Sequence, residues 1–402
     1  MNVFDLIFQH FSWSELAASS EVCSSWYKTI AESRVCMNKV EVKISNSSRR
    51  SNSDRSSLQT LQIDRKSQRH YKNIIVDFAD RSRFKLLTIL KPACRKWRSV
   101  HLLNGNFNNG KFALNFHETV ENLTLTRVQC ENGTDGFNFT FPRLKNLKLT
   151  SCDGNTLKMF KNCTGLRSLQ LSKSGTTCGV DFTELLVNNK DLEELSMCMC
   201  DFASIISKEI IDKVKFKLNK IVIDSFDDCF TPQDKESIKL LLQSQASLKI
   251  VHIYPWCGTD IMETCWAMKQ LRDLSLDVHH RSDAIDWTRL ALPINSSIHR
   301  IHLSDVSKHE DASLYEAIFK GAPNLRVYKS KYMHFDDLLA LSSRCKNMCE
   351  LYIEEFDISF LPLNPLPNVT KFKSCDVNED LIKILQTKGS RNSFEEKILY
   401  NG

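Results

Sequence analysis

One pattern, apolar-x-x-apolar-x-apolar, recurs along most of this 402-residue chain and restricts its fold more than any other feature. It reads "VENLTLTRV" from Val120, "LKNLKLTSC" from Leu144, "LRSLQLSKS" from Leu166 and "LEELSMCMC" from Leu192. "LNKIVIDSF" from Leu218, "LKIVHIYPW" from Leu248, "LRDLSLDVH" from Leu271, "IHRIHLSDV" from Ile298 and "MCELYIEEF" from Met348 follow. "LRVYKSKYM" from Leu325 and "VTKFKSCDV" from Val369 are weaker copies, with Ser330 and Ser374 at the third apolar position. "WRSVHLLNG" from Trp97 and "YKNIIVDFA" from Tyr71 are degenerate earlier ones. Between Val120 and Val369 the mean step is about 25 residues, a period that builds repeat arrays.

The second half of the motif alternates at period two, so it predicts a short strand with one buried face. One repeat cannot cover that face, whereas stacked repeats pair their strands in parallel and share a core. The return segments show helical spacing. Phe182, Leu185 and Leu186 lie at i, i+3 and i+4, as do Ile238, Leu241 and Leu242, and "SLYEAIFKGAPNL" stops at Gly321 and Pro323. The expected fold is α/β, a curved solenoid with parallel strands inside and helices outside. These segments resemble leucine-rich repeats of the cysteine-containing type. Cys152 and Cys200 stand three residues after the last apolar strand residue, Leu149 and Met197, and Cys163 and Cys345 three before the next repeat's first apolar residue.

The N-terminus reads differently. Phe4, Ile7, Phe8 and Phe11 fall on one helical face. Ser12 and Glu15 are spaced as a capping box that starts a second helix, which includes Leu16. Val22, Cys23, Trp26 and Ile30 form a third apolar stripe. A unit this small cannot bury so many large side chains by itself, so part of that surface calls for a partner. The stretch resembles the F-box, the helical module that binds the Skp-family adaptor of cullin-based ubiquitin ligases. The matching residues are Phe4, Ile7, Phe8, Phe11, Leu16, Val22, Cys23 and Trp26. The resemblance implies that these bind the adaptor and, through it, cullin and the RING subunit. The family opens with Leu-Pro where this chain has Met1-Asn2-Val3. The expectation is a module truncated at its start, or one that binds more weakly.

The expected organisation is an F-box-like helical module over 1–40, a first strand and basic Ser-rich linker over 41–70, and the leucine-rich-repeat solenoid with a C-terminal cap over 71–402. The formal charge of +6 is concentrated between Lys43 and Lys72, where eight Lys/Arg face Asp54 and Asp64. That segment reads as a solvated linker, and Ser47, Ser51 and Ser56 beside its arginines are candidate phosphorylation sites. The 15 cysteines lack the spacing of a disulfide framework. Asn-x-Ser/Thr matches begin at Asn46, Asn122, Asn132, Asn138, Asn162, Asn295 and Asn368. "MNVFDLIFQHF" lacks the charged start of a secretory signal, and no run of about 18 apolar residues occurs. Free buried thiols in the cytosol or nucleus are therefore expected.

No phosphate-binding glycine motif and no GxSxG elbow occurs. Neither Cys198 with Cys200, nor Cys257 with Cys265, nor the histidines at 279, 280, 299, 302 and 309 have zinc-ligand spacing. No cofactor, metal or catalytic group is expected. By strand parity, Lys148, Gln170, Ser196, His252, Ser275, His302 and Tyr352 point out from the inner face, with Tyr254, Asp273, Asp277, Arg300, Lys329 and Glu354 nearby. A mixed surface rich in Tyr, His and Arg suits recognition of a target protein.

The resemblance as a whole implies a non-catalytic subunit, the substrate-recognition adaptor of a Skp–cullin–F-box ubiquitin ligase. It would hold a target whose identity the repeats do not encode in any one side chain. Membrane and nucleic acid are not expected partners. Two alternatives stay open: an extracellular leucine-rich-repeat binding or adhesion protein, and an intracellular scaffold with a non-functional F-box.

Overall fold

The computed structural model describes residues 7–8, 10–45, 71–78, 96–105, 118–130, 140–172, 179–198, 206–224, 231–254, 258–277, 290–304, 312–333, 335–356, 369 and 371–374. The chain forms two compact units, residues 1–192 with 214–216, and residues 193–213 with 217–402. Phe4, Cys200, Cys257, the linker serines and the residues after 374 lie outside the described set.

The first unit opens with helices α1 (Trp13–Val22), α2 (Ser24–Glu32) and α3 (Arg34–Met37). Ser12 caps α1 in the anticipated box: its hydroxyl accepts from the Glu15 N–H, and the Glu15 carboxylate accepts from the Ser12 N–H. Cys23 ends α1 and caps α2, its sulfur accepting from the Trp26 N–H at 3.4 Å. Val22 and Cys23 therefore belong to a corner, and the stripe anticipated from Val22 to Ile30 is split between two helices.

Six parallel strands follow in chain order: β1 (Glu41–Ser45), β2 (Asn73–Asp77), β3 (Ser99–Leu103), β4 (Asn122–Thr126), β5 (Asn146–Thr150) and β6 (Ser168–Ser172). Helices α4 (Gly154–Lys158) and α5 (Gly179–Asn188) are return segments. The array begins earlier than residue 71, because β1 pairs with β2 along its whole length.

The second unit holds β7 (Glu194–Cys198), β8 (Lys220–Asp224), β9 (Ile250–Ile253), β10 (Asp273–Asp277), β11 (Arg300–Ser304), β12 (Val327–Met333), β13 (Glu350–Phe356) and β14 (Lys371–Ser374), again parallel and in order. Its return helices are α6 (Lys208–Ile211), α7 (Pro232–Ser244), α8 (Thr259–Trp266), α9 (Ala312–Gly321) and α10 (Phe335–Arg344). Each copy of the motif enters its strand two residues after its first apolar position.

Burial follows the alternation. Leu147 and Leu149, Leu169 and Leu171, and Leu274 and Leu276 are buried, as are the helix residues Phe182, Leu185, Leu186, Ile238, Leu241 and Leu242. The weak copy at β12 replaces a Leu pair with large and small: Tyr328 packs edge-on against Phe319, and Ser330 turns its hydroxyl to the Tyr332 carbonyl at 2.8 Å. Successive repeats are also stitched before each strand. The carbonyls of Lys72, Arg98, Glu121 and Lys145 each accept two N–H groups from the next repeat.

A second stitch sits three residues before the motif. Asn189 is buried there. It accepts from the Leu166 N–H at 2.8 Å and donates to the carbonyls of Cys163 and Leu185, both at 2.7 Å. Gln245 accepts from the Leu218 N–H, and Asn295 donates to the Trp266 and Met268 carbonyls. Cys163 and Cys345 hold the same place in their repeats, buried, with burial raising both thiols to about 12. Asn189, Gln245 and Asn295 fill the cysteine position with amides that bond more fully.

The strands β3, β4 and β5 end in left-handed residues, Asn104, Arg127 and Ser151, with φ of 53–55°. Each turns its N–H onto a carbonyl of the following strand, as Ser151 does to Ser172 at 2.7 Å. This conformation costs a side chain about 1–2 kcal/mol. Ser151→Gly is expected to stabilise the first unit by about 0.5 kcal/mol once the extra backbone entropy of glycine is subtracted. Denaturant titration with an unchanged slope would report it.

Candidate interaction surfaces

Two surfaces stand out, one at the N-terminal helices and one on the strands of the second unit. In the helical module Phe8, Leu16, Ile30 and Cys36 form a closed core, with Phe11 and Trp26 packed against it. Phe8 meets Phe11 and Trp26 edge-on, each at 5.5 Å between ring centroids. This corrects one expectation: Phe8 and Leu16 are internal and do not present themselves to a partner. The three helices bury more than their size suggested because Phe8 sits between Phe11 and the Trp26 ring. Among the described residues of the module, the exposed large apolar side chains are Ile7 (47% exposed), Val22 (65%) and Tyr27 (46%), and Cys23 is exposed as well. The module is tied to the first strands: the Lys39 ammonium donates to the Phe11 carbonyl, and the Asn73 amide to the Asn38 carbonyl.

In the second unit, His252, Tyr254, Asp273, Ser275, Arg300, His302 and Tyr352 line one cavity of about 520 Å³ over β9–β13. Register brings them together. His252 faces Ser275, Ser275 faces His302, His302 faces Lys329 and Lys329 faces Tyr352, one from each strand. Ser196 lies on β7 of the same unit but does not line the cavity. Lys148 and Gln170 face each other across β5 and β6 of the first unit. Val327 and Glu350 also line the cavity and were not singled out from the sequence, although they open their strands and share the outward parity.

The cavity wall is a bonded network. Asp273 accepts from Arg300 at 3.2 Å and pairs with His252 Nε2 at 3.4 Å. Burial alone would raise the Asp273 carboxyl, but its bonds and charge contacts with His252 and Arg300 hold it below the usual carboxylate range. Ser275 Oγ pairs with His302 Nδ1 at 3.1 Å, and the Tyr352 hydroxyl donates to Glu350 at 2.9 Å. A Ser, a His and an Asp are thus close without forming a nucleophile triad, because Asp273 is bonded to His252 and not to His302. Burial, reinforced by the charges of Lys329 and His252 and opposed by Asp273, pushes His302 down to about 4, which makes it a poor base at neutral pH.

The same displacement couples His302 to stability. In the unfolded chain it binds a proton near 6.5, in the folded chain only near 4. Between those values the unfolded state holds the extra proton, so stability falls as the pH drops through this window. The expected loss is on the order of 2 kcal/mol after discounting for partial exposure. His302→Asn is expected to flatten that part of a melting-temperature profile.

The asparagine of one Asn-x-Ser match, Asn295, is buried with its amide donating to two carbonyls, so glycosylation there would require unpacking the repeat. Among the described residues Cys36, Cys130, Cys152, Cys163, Cys265 and Cys345 are free and buried. Also among them, no group of His, Cys, Asp or Glu is placed to hold a metal, and no helix is long and apolar enough to cross a membrane.

No family model and no curated protein matches the sequence. Among solved structures the chain is similar to an internalin from Listeria monocytogenes, at 15% identity and a TM-score of 0.38 over 70% of this chain and 81% of that one. It is similar to a TLR13–ssRNA13 complex at 12% identity and 0.41, over 84% and 58%. It is also similar to a leucine-rich-repeat protein from Leptospira interrogans at 12% and 0.39, over 90% and 96%. One parallel strand per repeat of about 25 residues, with an apolar pair buried on one face of each strand, is the leucine-rich-repeat arrangement, and it is carried by the strand pairing and burial themselves.

Proposed function

We propose that this protein is a two-ended adaptor: its N-terminal helices dock on the Skp-family subunit of a cullin–RING ubiquitin ligase, and its repeats hold the target. The observation that carries the reading is the state of the helical module. Phe8, Leu16, Ile30 and Cys36 are packed into one core, yet Ile7, Val22 and Tyr27 remain exposed beside the half-buried Trp26. Covering a large apolar side chain contributes about 1.5–3 kcal/mol, so a few of them support useful affinity after association costs. The strand cavity of the second unit, walled by tyrosines, histidines and an arginine, supplies the other interface.

The mechanism is proximity. A target held on the repeats has its lysines kept near a ubiquitin-conjugating enzyme at high effective concentration, and the chain itself breaks no bond. Its compartment in this reading is the cytosol or nucleus, where buried thiols such as Cys265, raised by burial to about 12, stay reduced. Affinity purification of the full chain followed by mass spectrometry tests the reading. Recovery of the Skp-family adaptor and cullin is expected. Repeated recovery without either one would remove the ligase assignment.

A further inference from the structure

We propose that the strand cavity of the second unit recognises an acidic segment of its partner, seating an aspartate or glutamate carboxylate over Lys329. This rests on the repeats being the target-binding end. The argument is one of charge complementarity along the wall. Asp273 is committed to Arg300 and His252, and Glu350 accepts the Tyr352 hydroxyl. Glu354 stands opposite Lys331, since Ser330 pairs with Ile353 and Tyr332 with Glu355. Lys329 is different. It occupies the central row between His302 and Tyr352 and pairs with no carboxylate among the described residues. Its ammonium is exposed, yet its field is felt in the cavity, where it helps keep His302 uncharged.

The neighbours of Lys329 are suited to the same ligand. When Nδ1 of His302 accepts the Ser275 hydroxyl proton, the neutral ring carries its own proton on Nε2, a donor. Arg300 spends Nη1 on Asp273 and keeps further N–H groups on its fork. An incoming carboxylate therefore meets an ammonium, an imidazole N–H and a guanidinium edge. Tyr254, Tyr352 and Val327 provide apolar surface for the residues around it. Nucleic acid suits the wall less well. A regular row of phosphates would run over Asp273, Glu350 and Glu354, which line the same cavity.

The test uses the full chain and a degenerate peptide library with one fixed position, set in turn to Asp, Glu, Gln, Ala, Lys or Arg. Wild type is expected to enrich Asp and Glu over Gln by about tenfold. Lys329→Met is expected to abolish that preference and Lys329→Glu to reverse it toward Lys and Arg. Lys329 is exposed, so melting curves should confirm that both variants fold. An equal preference in all three proteins would assign the effect to other basic residues and overturn the proposal, as would no enrichment in wild type. Competition by a single-stranded oligonucleotide, dependent on Lys329, with no peptide preference would replace it with nucleic-acid binding. If wild type shows no acidic preference while its adaptor capture persists, only this inference falls. If capture fails and the preference stands, only the ligase reading falls.

Discussion

Val22→Asp and Tyr27→Asp, alone and combined, are expected to abolish capture of the Skp-family adaptor while leaving the protein folded. Val22 is largely in water and Tyr27 about half covered, so the two changes should cost no more than about 1 kcal/mol each. Their loss of capture would then be a loss of contact. Each change removes an apolar contact and places a charge where an interface must be dry, and the double variant should weaken binding by a hundredfold or more, about 3 kcal/mol. Trp26→Ala should also lose capture, for a mixed reason: its ring packs edge-on against Phe8 as well as reaching solvent. Phe8→Ala serves as the contrast, costing about 3–5 kcal/mol of module stability because Phe8 is core. Co-purification with recombinant adaptor, read beside melting curves, separates the two effects. Normal capture by the folded Val22→Asp/Tyr27→Asp protein would end the docking proposal.

Asn189→Leu is expected to open the repeat that contains β6. Leucine nearly matches asparagine in shape but leaves the Leu166 N–H and the Cys163 and Leu185 carbonyls unpaired in the core. Each unpaired buried group costs about 1–3 kcal/mol, so a total near 3 kcal/mol or more is expected. Because repeats are stabilised by their neighbours, the damage should be local before it is global. Hydrogen exchange over residues 163–172 is the readout, with faster exchange there than in the strands of the second unit. Unchanged protection would mean that water replaces the amide at no cost.

Much of the repeat array was legible because Leu147 and Leu149, and their counterparts, encode one buried face at period two. The entry of β1 into the array was not. Lys39 stands where other copies carry the first apolar residue, and it spends its ammonium on the Phe11 carbonyl instead. At the N-terminus, the F-box resemblance assigned Phe8 and Leu16 to the partner surface, whereas both are buried. Periodicity locates an apolar face but cannot tell which members a neighbouring ring will cover. The strand cavity was half legible: parity found His252, Ser275, His302 and Tyr352. The bonds that fix its electrostatics join residues 21 and 27 positions apart, so they appear only once strand register is known.

The alternation along each strand separates two kinds of hereditary risk. Outward residues such as Lys329 and Tyr352 carry the proposed recognition, while Tyr328, Leu351 and Ile353 between them carry the fold. Target preference can therefore drift by single changes with little threat to the stability threshold that purges most mutations. The helical module has no such division of labour. There Trp26 serves the core and the proposed contact together, so the helical end is expected to stay fixed in lineages where the strand surface diversifies.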